Sequence, residues 1–130
     1  HLVREVPWFP SIDDWGAKRN KEDPPEPRIY AIHESEDGLV WVLIHIADEA
    51  WEEGYEERLS PWGEMTRIIS DDNRVYDSVL EVVDPQSAVV LASARLDAAF
   101  RGFAGDGLLF SRVYRDEKFP VLEIWKLHIR

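Results

Sequence analysis

The stretch Leu39 to Ile46, LVWVLIHI, constrains the fold more than any other part of the chain. It follows Asp37-Gly38, a dipeptide whose glycine supplies the positive φ that tight hairpin turns need. Both of its alternating faces are apolar: Leu39, Trp41 and Leu43 on one, Val40, Val42, Ile44 and Ile46 on the other. A strand with one face in water alternates apolar and polar residues, so a strand with no wet face belongs between two layers. The rest of the chain has to supply a layer on each side.

The neighbouring segments read as further strands. RIYAIHES, Ile29 to Ser35, precedes the Asp37-Gly38 turn and completes a hairpin. Val75 to Val83 and Ala88 to Leu96 form a second strand pair around Asp84-Pro85-Gln86-Ser87, a turn with proline at its second position. A strand near Phe100, one at Leu108 to Arg115 and a last one at Val121 to Ile129 follow. The predicted class is all-β, an antiparallel meander. Between Ile46 and Tyr76 lies a long acidic insertion, at about 47–75. Its Trp51 and Tyr55, four apart, predict a short helix starting near Asp48 and ending at Gly54 or at Ser60-Pro61. Residues 1–28 read as an irregular lead-in. Pro7 and Pro10 flank the apolar anchors Trp8 and Phe9, with Trp15 soon after. Pro24, Pro25 and Pro27 then make an extended linker.

The chain has 130 residues and a formal net charge of −11, from 26 acids against 15 Lys and Arg. That balance argues against sequence-independent binding to nucleic acid or to an anionic membrane, since both carry negative charge. No apolar run approaches the ~20 residues that span a bilayer, so no membrane insertion is expected. With no cysteine, disulfides, thiolate metal sites and a cysteine nucleophile are excluded. The chain opens at His1 rather than Met, and a preceding segment is expected.

Two segments repeat each other. EDGLVWVLIHI is matched by GDGLLFSRVYR, with an Asp-Gly-Leu step opening an apolar strand at Asp37 and again at Asp106. Downstream, SVLEVVD is matched by PVLEIWK, with Val-Leu-Glu at Val79 and again at Val121. Each unit reads as a small antiparallel sheet buried against its neighbour. On these residues (Ile29 to Ile46, Val79 to Leu91, Gly105 to Leu127) the chain resembles the C-terminal portion of a bacterial six-bladed β-propeller of the NHL-like or TolB-like sort. In that family a short strand, an Asp-Gly turn, a strand like LVWV and a hairpin like VLEVVDP recur in each blade. Gln86-Ser87 stands where the family pattern has Thr-Gly.

The resemblance implies about two stacked blades. One is four-stranded, over 29–97 with the insertion inside it. The last, over 98–130, is incomplete. It also implies that an N-terminal strand of the full-length chain completes that last blade, and that the protein is periplasmic or extracellular. A small, complete β-sandwich is the alternative architecture.

No residue set carries a recognisable chemistry. A two-residue Asp37-Gly38 turn would place His33 opposite Val42 and His45 opposite Tyr30, so the two histidines are not joint ligands; His1 and His128 read as ordinary residues. The acids from Asp48 to Glu57 spread around the expected helix as a solvated face rather than converging as a calcium loop does. The SDDN segment at Ser70 lacks that loop's glycine, and GFAGDG opens no helix that would cradle phosphate. The serines stand in no nucleophile elbow. Expected catalytic residues, metal ligands and cofactors are therefore none. Trp41 and Trp125 read as packing residues, whereas Trp8, Trp51 or Trp62 would serve a partner if exposed. The expected function is a binding or scaffold module of propeller type with an unspecified protein or small-molecule ligand. The alternative is a propeller enzyme of lactonase or lyase type.

Overall fold

The computed structural model describes residues 23–116 and 119–128. The anchors Trp8, Phe9 and Trp15 of the lead-in lie outside these residues. The chain is all-β, with antiparallel strands throughout. Among the described residues no helix is long and apolar enough to cross a membrane.

The strands form a first sheet, a hairpin arm inserted between two of its strands, and a second sheet that follows in the chain. The first sheet has strands β1 (Arg28–Glu34), β2 (Val40–Ala47), β5 (Tyr76–Asp84) and β6 (Val89–Leu96), side by side in that order. The arm is β3 (Tyr55–Leu59) paired with β4 (Met65–Ile69). The second sheet is β7 (Gly102–Gly105), β8 (Leu108–Asp116) and β9 (Phe119–Lys126), with β9 on its edge. Pro120 lies in β9, as suits a strand whose outer side donates to no ladder.

The β2 strand occupies the place its composition demands. It pairs with β1 on one side and β5 on the other, and Trp41, Leu43, Ile44, His45 and Ile46 are buried. β5 is buried from Tyr76 to Val82. The inner faces of the two sheets meet in one core: Trp41, Leu43, Leu80 and Val82 from the first, Leu109 from β8, and Phe100 from the link between them. On the opposite face of the first sheet, Ile44, Ile46 and Val79 cluster with Val42, so the described apolar members there all come from this one sheet.

Three expectations need correction. The Asp37-Gly38 hairpin has a three-residue loop, Glu36 to Gly38, closed by Ser35 N–H donating to the Leu39 carbonyl at 2.9 Å. Gly38 takes the left-handed φ of 81° that such loops use at their third residue. His33 therefore faces Trp41, and a bulge between Ile29 and Ala31 shifts His45 to face Arg28. The helix expected from Asp48 shrinks to a 3-10 turn at Trp51–Gly54. The chain then runs into the β3–β4 hairpin, and a single α-helical turn, α1 (Asp72–Val75), leads into β5. Trp51 and Tyr55 do meet, edge to face at 6.0 Å, but across the start of a strand. The strand expected near Phe100 begins at Gly102 and the last one ends at Lys126. Leu127 N–H leaves the ladder to donate to the Gly107 carbonyl at 2.8 Å.

The two Asp-Gly steps lie next to each other. Asp37 bonds within its own turn, to the Ser35 hydroxyl. Asp106 reaches across to the first sheet: its carboxylate accepts from Glu36 N–H at 3.0 Å and meets His33 Nε2 at 2.7 Å. Those two contacts hold the Asp106 carboxyl below its usual range, the Glu36 amide first and His33 second. The repeated motif thus ties the two sheets together at one end.

Candidate functional site

Four arrangements bear chemistry. The first lies at the end of the first sheet where β2 and β6 finish and β5 starts. Ile46 pairs with Asp77, and Ser78 pairs with Leu96, so Asp48 and Asp97, each just beyond its strand, fall on either side of Asp77. The three carboxylates each bring an oxygen within 4.8 Å of the other two. Asp48 Oδ1 also accepts from Ala50 N–H at 2.6 Å, which fixes its orientation. Arg95 grips Asp77 Oδ2 through Nε at 2.6 Å and through a second guanidinium nitrogen. Burial pushes the Asp77 carboxyl above its usual range. Arg95 pulls it down, and the adjoining Asp48 carboxyl pushes it up again.

The second is a polar cleft of about 480 Å³ between α1 and β8, lined by Asp72, Asn73, Arg101, Arg112 and Tyr114 among others. Its walls are tied into the fold. Asp72 pairs with Arg101, and Asn73 Oδ1 accepts from Ala99 N–H at 3.0 Å. Arg112 lies over the Tyr114 ring at 4.8 Å.

The third is His45. It is buried and stacked on Tyr30 at 4.0 Å, with Tyr76 5.3 Å away on centroids. Its Nε2 is 2.7 Å from the Phe100 carbonyl, an acceptor, so Nε2 carries the proton; Nδ1 is buried without a hydrogen-bond partner. Burial lowers its pKa below 6.5, and the imidazole is a neutral packing group. His33, by contrast, is partly exposed on Asp106 and stacked on Phe103. The two histidines expected not to act jointly have separate partners.

The fourth is the tip of the arm. Ser60 N–H donates to the Glu64 carbonyl at 2.7 Å, and the loop between them holds Trp62 out with 87% of its surface exposed. Leu59 and Met65, at the ends of the two strands, are exposed beside it. Of the tryptophans named as partner contacts, Trp62 is the exposed one, Trp51 is half-buried under Arg67, and Trp8 lies outside the described residues. The carboxylate cluster was missed because its members come from three separated segments, and only the sheet register joins them.

No family model matches this chain, and no curated protein or solved structure is significantly similar to it.

Proposed function

We propose that the two sheets are neighbouring blades of a β-propeller that acts as a binding or scaffold module. The observation that carries this reading is the outer face of the second sheet. In β9, Trp125 turns inward to meet Phe100 edge to face at 5.7 Å, so Leu122 and Ile124 turn outward, and each is 64% exposed. They pair with Arg112 and Phe110 of β8. A complete sandwich presents polar outer faces; an apolar one needs a further layer. Among the described residues no strand pairs with the outer edge of β9, as an incomplete blade would require. On this reading a strand from elsewhere in the full-length protein pairs with β9. The Trp62 arm is the contact for a partner protein: an aromatic anchor for an apolar pocket, with Leu59 and Met65 exposed beside it.

Light scattering and thermal melts of the 130-residue chain, alone and carrying L122K with I124K, test the platform. The expected result is concentration-dependent self-association of the unsubstituted chain and a monomeric double variant with an unchanged melt. A clean monomer with a sharp cooperative transition before any substitution would establish the complete sandwich instead.

A further inference from the structure

We infer that Asp48, Asp77 and Asp97 form a binding site for a hard divalent cation of the calcium class. The ligand atoms are all carboxylate oxygens, which suits calcium, magnesium or manganese rather than a softer metal. The second observation is the state of Asp77. Its side chain is only 7% exposed, Arg95 occupies one oxygen, and Oδ1 is buried with no donor to it among the described residues, while the Asp48 carboxyl lies close enough to share a proton with Asp77. A buried carboxylate with an unanswered oxygen is costly, and two further carboxylates beside it raise the cost. Carboxylates cannot donate to one another, so only a proton or a cation held among them relieves the arrangement.

The charge of the ionised cluster matches the cation. Three carboxylates and the Arg95 guanidinium sum to −3 + 1 = −2, the complement of one divalent ion. A single proton shared between Asp77 and Asp48 is the competing state, and titration with calcium separates the two. The ligands also have a fixed frame: Asp77 stands within the ladder, and Asp48 is held by the Ala50 amide. Three side chains do not fill a calcium shell of six to eight oxygens, so water completes it. The affinity should then be modest, with Kd on the order of 10⁻⁴ to 10⁻³ M. An ion there would join the ends of β2, β5 and β6 at the point where the acidic insertion leaves the first sheet.

Calorimetric titration of the full chain with CaCl2, and melts in CaCl2 against NaCl of equal ionic strength, test the site. The expected results are a saturable binding isotherm and a melting temperature raised by roughly 5–10 °C at a hundredfold excess over Kd. The control in NaCl removes general screening of the acidic surface. Asp97 is exposed, so Asp97→Asn should fold normally while weakening binding about tenfold or more, and Asp77→Asn should abolish it. Two results would overturn the site: calcium acting no differently from matched NaCl, or Asp97→Asn and Asp48→Asn binding as the unsubstituted chain does. A melt that rises on acidification and ignores calcium would assign the cluster to a shared proton.

Discussion

β2 and β9 are each eight residues long and rich in large apolar side chains, yet they meet opposite fates. VWVLIHIA is paired on both edges and has its central residues sealed on both faces. Among the described strands FPVLEIWK is paired on one edge, and seven of its eight residues are exposed. Hydrophobicity does not separate them; position in the strand order does. β2 lies inside a four-stranded sheet, between β1 and β5. β9 is last in a three-stranded one, where Leu122 and Ile124 keep an apolar face that nothing described covers. On the proposed reading, a strand of this composition at an edge is where a further layer would lie.

The sharpest contrast comes from the two tryptophans. Trp41, 6% exposed in β2, sits against Leu43, Leu80 and Phe100. Trp41→Ala should cost about 3–5 kcal/mol, read as a lowered urea midpoint at constant slope. A pH effect comes next and belongs to β2 alone. Burial holds the His45 pKa below 6.5, so the unfolded chain takes up the proton first as pH falls. Its contribution is fully present above 6.5 and is lost as pH drops from there through the lowered folded value. The melting temperature should therefore fall as the pH drops below about 6.5, before most carboxylates titrate. His45→Gln keeps a donor for the Phe100 carbonyl and should flatten that slope; an equal slope in the variant would assign it elsewhere. The smallest effect is in β9. Trp125 is 49% exposed and touches Phe100 by its edge, so Trp125→Ala should cost about 1 kcal/mol. A loss matching that of Trp41→Ala would mean that β9 is covered and the contrast between the strands is false.

What was legible in the sequence was the part fixed by periodicity and turn chemistry. A double-sided apolar run next to Asp-Gly could only be a central strand with a hairpin before it, and Asp84-Pro85 marked the next reversal. The register was one step out, because a two-residue and a three-residue loop share the same Asp-Gly signal. Only the closing bond from Ser35 to Leu39 distinguishes them. The arm was missed for a different reason. Tyr55–Leu59 and Met65–Ile69 bury little, so they carry no strand alternation, and the Trp51–Tyr55 spacing imitates a helix face. The candidate cation site had no local signature, since Asp48, Asp77 and Asp97 become neighbours only through the pairing of β2, β5 and β6.

The root of the arm has an architectural consequence. The chain departs and returns through a closed bracket: Asp48 N–H donates to the Val75 carbonyl at 3.0 Å, and the Gly54 carbonyl accepts from Ser70 and Asp71 N–H at 2.8 and 3.2 Å. Tyr55 packs at the root against Val75, Tyr76 and Ala99, and the arm from Glu56 to Ile68 extends beyond it, while β2 and β5 stay zipped from Val40–Val83 to Ala47–Tyr76. The outer part of the arm is therefore structurally separable from the sheet that carries it. Its length can change beyond Tyr55 while the parent sheet keeps its register.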